Sequence, residues 1–480
     1  MKASRLALRA LLLLTAGLGL IWTPALAQEA APSSTPTQPP DVILILVDDL
    51  GYGDWEPTGG PMKTPNLMRL CEEGVRLDRY YTNPVCTPSR VALIGGQSPT
   101  RLGMAMSPLR NWGKESLPRG VPTLATRLQA AGYRTGIIGK WHLGHAETWM
   151  QPQQRGFDHF YGFLTGSIDY FTHQSRNAGL DWQRNGKAVV EKGYVTDLLG
   201  EEAAAWIQEQ EKDRPLFLYL PFSAPHKPLM ATREHISPYK ETVKDFRKRT
   251  YCGMVSAVDV AVGKVLEAVA ERGRADNTLI LFLSDNGADP RSEGSNGPLQ
   301  GNKGSLYEGG IRVPGVVRWP QRFPAGQVSQ ELVQVLDWAP TVLAAAGIDP
   351  DPALDGIDVL ARLSATDSAN APQPRKDIFF QSYSGRVNYA MLRWPYKCVV
   401  RVKNSDQSLE VQLFDLASDP FEAQDLAATE EEIAATMLMD IQAWFAQQRP
   451  EDDFLKPAGI TSKEVPEDWR PPRDWASFAK

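Results

Sequence analysis

Residues 42–47 read VILILV, closed off by Asp41 on one side and by Asp48-Asp49 on the other, and a chain has few places to put six consecutive apolar residues. A strand with one wet face alternates polar and apolar residues, and a surface helix spaces its apolar residues three and four apart. A strand covered on both faces accommodates the whole run, which is the situation of a central strand in a parallel sheet. Parallel strands need crossover connections, usually helices, so the run predicts an α/β domain. It ends in two adjacent carboxylates, where open α/β sheets place their ligand sites.

The pattern repeats. Helical spacing over Pro65–Gly74 precedes a strand over 75–82 that leads into a loop at Cys86. A helix over Thr123–Ala131 precedes a strand over Tyr133–Gly139, and a helix from about Val195 to Gln210 precedes one over Leu216–Phe222. A long helix over about 243–272 then leads to a strand over Thr278–Leu283. Gly301–Pro314 (GNKGSLYEGGIRVP) is a glycine-rich loop entering a strand at 313–318, and Ser329–Gly347 predicts the last long helix. Glu147–Lys192 is loop-rich and aromatic, a substrate wall or packed surface. The Pro-, Asp- and Ala-rich stretch 350–376 marks a boundary. Beyond it, short strands at 378–383, 389–392, 396–402 and 410–415 and a helix over about 430–448 predict a small antiparallel sheet with one helix. From Pro450 the chain reads as an irregular surface tail.

The expected fold is therefore α/β: a large mixed, mostly parallel sheet sandwiched by helices, with a smaller C-terminal antiparallel sheet plus helix. Residues 1–27 read as a signal peptide: Lys2, Arg5 and Arg9, then the apolar run 10–21, then Ala25-Leu26-Ala27. Residues 28–40 form a flexible leader, 41–375 a catalytic domain, and 376–480 a C-terminal subdomain with its tail. Such a chain is expected to be exported, periplasmic or secreted, with no membrane span after cleavage. The net charge of −6 argues against a nucleic-acid partner. Four cysteines, Cys71, Cys86, Cys252 and Cys398, are too few for a disulfide framework, and pairing among Cys71, Cys252 and Cys398 stays open.

Four strand ends deliver polar side chains: Asp48-Asp49, Lys140 with His142, His226, and Asp285-Asn286. Convergence from several strand ends is how this architecture builds an active site. Asp48, Asp49, Asp285 and Asn286 are hard oxygen donors, which select Ca²⁺ or Mg²⁺ over zinc and lean towards calcium. Arg90, Lys140 and Lys303 supply positive charge for a tetrahedral anion. His142 and His226 are the proton carriers, while His145, His159, His173 and His235 are expected to be structural. Cys86–Arg90 reads CTPSR at the start of a helical pattern, where the helix dipole and an arginine favour an anion or an activated nucleophile. The plainer reading of Cys86 is a small buried residue or half of a disulfide.

These pieces resemble the type I sulfatase family of the alkaline phosphatase superfamily. The likeness lies in DVILILVDDLGYGD at 41–54, CTPSR at 86–90, GYRTGIIGKWHLG at 132–144, APHKP at 224–228, SDNG at 284–287 and NKGSLYEGGIRVP at 302–314. FDLASDPFEAQDLA at 414–427 is similar to the family's C-terminal signature, and GFDHFYGFLTGSIDYFTH at 156–173 looks most like the arylsulfatase B branch. The resemblance implies that a formylglycine-generating enzyme oxidises Cys86 to formylglycine, whose hydrate is the nucleophile held by Arg90. It implies one Ca²⁺ on Asp48, Asp49, Asp285 and Asn286, next to the modified Cys86. It also implies Lys140 and Lys303 on the sulfate, His226 protonating the leaving alcohol, and His142 as the base that lets the diol expel sulfate. The substrate so implied is a sulfated small molecule or glycan. Residues 93–97 read LIGGQ where the family usually reads LLTGR, so Gly95 and Gln97 imply less efficient modification. A phosphonate monoester or phosphodiester hydrolase with the same nucleophile, and a non-catalytic binder of sulfated glycans, are the alternative readings.

Overall fold

The computed structural model describes residues 38–176, 179–349, 351–364, 377–457 and 465–478. The expected signal peptide, most of the leader, and residues 350 and 365–376 of the boundary stretch lie outside the described residues. The strands are β1 (Asp41–Asp48), β2 (Val75–Leu77), β3 (Tyr80–Tyr81), β4 (Arg134–Lys140), β5 (His159–Phe163), β6 (Gln183–Arg184), β7 (Lys187–Ala188) and β8 (Leu216–Pro225). They continue with β9 (Thr278–Ser284), β10 (Gly315–Arg318), β11 (Gln327–Ser329) and β12 (Val333–Gln334), and then β13 (Ile378–Tyr383), β14 (Val387–Arg393), β15 (Tyr396–Val402) and β16 (Leu409–Asp415).

Ten of them form one sheet in the order β11-β2-β10-β9-β1-β8-β4-β5-β6-β7. The run from β9 through β1, β8 and β4 to β5 is parallel, and β10, β6 and β7 are antiparallel additions towards the edges. β1 lies in the middle, and its side chains divide strictly by parity. Val42, Leu44 and Leu46 join one core with Val91 and Leu93 of the helix Cys86–Gly95, and Ile43, Ile45 and Val47 join another with Leu199 and Val258 of the helices Val195–Glu209 and Phe246–Glu271. Every residue of β1 is buried, so the six-residue run is used on both faces.

Strands β13 to β16 form a separate antiparallel meander. One face packs on the helix Glu431–Gln448 through Met391, Val400, Ile441 and Phe445. The other packs through Phe380, Leu392 and Phe414 on Tyr81, Leu306 and Ile311.

Four expectations need correction. The stretch over 75–82 is two strands, since the chain turns between Leu77 and Tyr80 and β3 pairs with β12 instead of joining the large sheet. Glu147–Lys192 is not loop throughout: its aromatic segment His159–Phe163 pairs in parallel with β4 and extends the central sheet. The helix expected over 329–347 begins only at Trp338, because β11 and β12 occupy its start and Asp337 accepts the amide of Gln334 at 2.9 Å, closing a capping box. The tail is not wholly superficial. Trp475 is fully buried, with its ring 5.0 Å from that of His145, and its amide donates to the carbonyl of Leu180 at 2.9 Å.

Candidate active site

The register of four neighbouring parallel strands, β9, β1, β8 and β4, builds the site. Val47 of β1 lies beside Ser284 of β9, so Asp48-Asp49 emerge next to Asp285-Asn286. On its other side β1 runs with β8, which pairs Asp48 with Pro225 and delivers His226 one residue later. β4 follows β8 and ends on Lys140. The glycine-rich loop closes the group because Gly287 approaches the backbone of Gly309 so closely that a Cβ there would overlap its carbonyl oxygen.

Cys86 is buried at the first turn of the helix Cys86–Gly95, whose preceding residue Val85 is extended and provides no side-chain cap. The free backbone amides of that turn, and the positive end of the helix, are left for an anion. Burial pushes the Cys86 thiol up, against the pull of Lys140 and Lys303. It is therefore a protonated thiol near neutrality, a poor nucleophile. No disulfide forms among the four cysteines.

Three carboxylates face three cations. Lys140 pairs with Asp48 Oδ2 and Lys303 with Asp49 Oδ1. Arg90 donates through Nε (3.2 Å) and Nη2 (2.9 Å) to Asp285 Oδ2, and lies 3.7 Å from Asp48 Oδ2. Its Nη1 also donates to the carbonyl of Lys140 at 3.3 Å, tying β4 to the cluster. Burial opposes the charge on Asp48, but Lys140, His226, Arg90 and Lys303 together hold it far below the usual carboxylate range. Asp285 is the reverse: burial and the neighbouring Asp48 push it up to about 7, with Arg90 and Lys140 opposing. For Lys303, burial favours loss of the proton, but Asp49, helped by Cys86, Asp48 and Asp285, holds it well above the ordinary lysine range.

Despite this pairing, Asp48 Oδ1, Asp49 Oδ2 and Asn286 Oδ1 are buried acceptors that receive no hydrogen bond from the described residues. Asn286 donates its own amide to Asp49 Oδ1 at 2.7 Å, which turns its oxygen away from that contact. Orphan oxygens on acidic and amide side chains at the ends of adjoining strands fit a hard divalent cation. Asp48, Asp49 and His226 also each bring one ligand atom within 4.8 Å of the others. Asp285 contributes differently, with one oxygen on Arg90 and the other accepting the Asp49 amide at 3.2 Å.

His142 Nε2 lies 3.1 Å from the carbonyl of Leu109, so Nε2 carries the proton and Nδ1, 3.4 Å from Thr87 Oγ1, is free to accept one. Burial, reinforced by Lys140 and Arg90, holds this imidazole well below its ordinary range. His226 Nδ1 lies 2.7 Å from the carbonyl of Lys227 and its Nε2 faces Asp49 Oδ2 at 3.8 Å. Burial lowers it too, with Asp48 and Asp49 pulling the other way. The other histidines are engaged elsewhere: His145 with Asn111, His159 with Glu202, His173 with Gly193 and His235 with Asp197.

A cavity of about 430 Å³ opens at His226 and Lys227, walled by residues 167–176, including Asp169, Thr172, Ser175 and Arg176. Part of the aromatic insertion is thus a wall of the site. The sequence reading passed over Tyr170, whose hydroxyl fixes the carbonyl of His226 at 2.8 Å, and Thr87 beneath His142. Thr87 lay inside a motif already singled out, and Tyr170 was one aromatic among several with nothing local to distinguish it.

Residues 40–348 match the family model described as sulfatase, and residues 301–448 match that of the C-terminal region of N-sulphoglucosamine sulphohydrolase. Arylsulfatase J of Mus musculus is 38% identical over 351 residues, covering 71% of this chain and 58% of its own. N-acetylgalactosamine-6-sulfatase of Homo sapiens is 36% identical over 352 residues, covering 68% and 66%. The chain therefore spans 58% and 66% of the length of these two curated relatives, less than two thirds in both cases. The crystal structure of Ps i-CgsB in complex with k-i-k-neocarrahexaose is similar with a TM-score of 0.79 at 32% identity, over 87% of this chain and 95% of that one.

Proposed function

The chain belongs to the sulfatase family, and from that premise we propose that it hydrolyses sulfate esters of a carbohydrate, using Cys86 in its formylglycine form and a Ca²⁺ held by Asp48, Asp49, Asp285 and Asn286. The observation that carries the reading is the buried trio of orphan oxygens, on Asp48, Asp49 and Asn286, amid Arg90, Lys140 and Lys303. Mg²⁺ is the second choice of ion, since an amide carbonyl among the donors suits calcium better. Bound there, the ion would supply a Lewis-acid centre for a sulfate oxygen. A hydrated formylglycine would supply the attacking hydroxyl. Oxidation by a formylglycine-generating enzyme, in an exported protein, goes with this reading, as does the N-terminal signal-like segment.

The chain's own residues then divide the work. Counted as fully ionised, the three carboxylates and three cations cancel, so a divalent cation would leave the site net positive, which favours a sulfate monoester. Lys140 and Lys303, which pair with Asp48 and Asp49, would be placed to bind sulfate oxygens once an ion shares those carboxylates. Arg90 holds Asp285 and the end of β4 and keeps the nucleophile's surroundings rigid. His142, neutral and with Nδ1 open, takes a proton from position 86 during release of sulfate. His226 stands at the mouth of the cavity; with Nδ1–H on the Lys227 carbonyl, it gives an Nε2 proton to a leaving alcohol as the imidazolium, the form that Asp48 and Asp49 favour against burial. The 167–176 wall, which overlaps the stretch 156–173 resembling the arylsulfatase B branch, supports a sugar as the alcohol.

The test is turnover of 4-nitrophenyl sulfate against matched phenylphosphonate and phosphodiester esters, with peptide mass spectrometry across Cys86. An aldehyde at position 86 with sulfate turnover in excess is the expected result. Dominant phosphonate or phosphodiester turnover would replace it with the hydrolase alternative, and an intact thiol with no turnover would leave a binder.

A further inference from the structure

A second cavity, of about 500 Å³, lies between the C-terminal tail and two loops of the large domain. Trp112 and Trp469 form an aromatic wall, their rings 6.0 Å apart and edge to face. Phe478 closes another side, and Lys114, Glu147 and Asp468 stand exposed at the edge. Trp112, Trp469 and Phe478 are each only half-buried, so ring surface is open to the cavity. Open indole faces flanked by hydroxyl-binding ammonium and carboxylate groups suit a pyranose, whose C–H face packs on an aromatic ring while its hydroxyls bond around the rim.

The position of this cavity matters as much as its lining. Asn111, next to Trp112, donates its amide to Ser175 Oγ at 3.1 Å and to the carbonyl of Arg176 at 3.0 Å. Ser175 and Arg176 line the cavity at His226. One hydrogen-bonded wall therefore separates the two cavities. The tail that completes the second one is anchored beside it: Leu180 donates to the carbonyl of Arg473 at 3.0 Å, and Trp475 is buried against His145.

We propose that the Trp112–Trp469 cavity is a distal saccharide subsite, which binds a sugar unit of a chain whose sulfated unit lies at His226. The inference deepens the proposed function and rests on it for the substrate class. The chain then prefers oligosaccharides, and the tail from 465 to 478 is a specificity element.

The probes are size-graded ladders, disaccharide to hexasaccharide, prepared from κ-carrageenan and from chondroitin sulfate. They are titrated calorimetrically against the full chain, with 4-nitrophenyl sulfate turnover measured in parallel. For at least one ladder the hexasaccharide binds about tenfold or more tighter than the disaccharide, a ratio that one aromatic platform supplies. Trp112→Ala and Trp469→Ala remove that ratio and leave 4-nitrophenyl sulfate turnover unchanged, whereas Trp112→Phe keeps most of it. Lys114→Ala, at an exposed position where folding is not at stake, weakens the hexasaccharide alone. Affinity independent of length, absence of binding by both ladders, or length preference that survives both alanine variants would overturn the proposal. Length-dependent binding without any sulfate turnover would keep the subsite and defeat the hydrolase reading instead.

Discussion

Two side chains of the site sit on backbone that L-residues rarely adopt: Asp49 has φ 71° and His142 has φ 56°. Non-glycine residues in this region cost about 1–3 kcal/mol each and persist where the surroundings over-determine them, commonly at functional sites. Here the surroundings are the Asp49 amide held by Asp285 and the His142 ring held by Leu109. Cys86 is different, since its side chain is buried and helical yet fixed by no hydrogen bond among the described residues, so its chemistry can be removed without its structure. Cys86→Ala is expected to reduce 4-nitrophenyl sulfate turnover to background while the unfolding free energy changes by about 1 kcal/mol, the scale of one buried heavy atom. A loss of turnover matched by a large loss of stability would place Cys86 in the core instead. The identities of Asp48, Asp49, Asp285, Asn286 and Cys86 as candidates were legible in the sequence because each ends an apolar run or starts one. Which oxygens are left unpaired was not legible, because that depends on the β1–β9 register and on where Lys140 and Lys303 point.

The glycine-rich loop that presents Lys303 is held from behind by the C-terminal sheet. Lys397 of β15 is fully buried and pairs with Glu308 at 2.9 Å and Glu422 at 2.8 Å. Glu308 also accepts the hydroxyl of Tyr81 at 2.9 Å, and its amide donates to Glu422 at 2.7 Å. Removing one partner of a buried ionic group leaves uncompensated charge, which costs about 3–5 kcal/mol. Lys397→Met, close in length and apolar, is therefore expected to destabilise by that amount in urea unfolding and to lower turnover through misplacement of Lys303. If stability fell but turnover per folded molecule did not, the sheet would support the fold without positioning the loop. The four strands and the helix of this region were readable from alternation and length. Lys397 was not, because a lysine inside YKCVVRV looks like the wet side of a strand, and only distant Glu308 and Glu422 make its burial tolerable. The late start of the helix at Trp338 was missed for a similar reason: apolar spacing continued through 329–337, and the short pairings of β11 and β12 won locally.

The chain as a whole is arranged around one strand, and what was legible follows from that. A run buried on both faces forces helices onto both sides and aligns the strand ends, so fold class and site location came together from the same residues. The tail had no such periodicity, and its anchoring by Trp475 on His145 is a tertiary fact. That anchor carries a pH signature. Burial, only partly offset by the bond to the Asn111 carbonyl, lowers His145 to about 4 from an ordinary 6.5. Between those values the unfolded chain binds a proton that the native chain refuses, so this histidine's contribution to stability is intact above pH 6.5 and falls as pH drops towards 4. His145→Gln is expected to flatten the decline of thermal stability between pH 6.5 and 5, and an unchanged slope would mean that the tail opens before the histidine titrates. A metal has the opposite reach, from the centre outward. If Asp48, Asp49, Asp285 and Asn286 hold Ca²⁺, they link β1 to β9, two neighbouring strands inside the sheet, and an ion that binds only the folded chain stabilises it by mass action. At a hundredfold excess over the dissociation constant the gain is about 2.7 kcal/mol. Chelation is therefore expected to lower the unfolding midpoint by a few degrees, with Ca²⁺ restoring it at lower concentration than Mg²⁺. Asn286→Ala, which deletes one orphan oxygen and no carboxylate charge, should weaken that restoration. It should do so equally in protein with unmodified Cys86, because the ion's hold on the two strands does not depend on the nucleophile. Indifference of the midpoint to chelator and to Ca²⁺ would remove the cation from the site and leave the three orphan oxygens without an explanation.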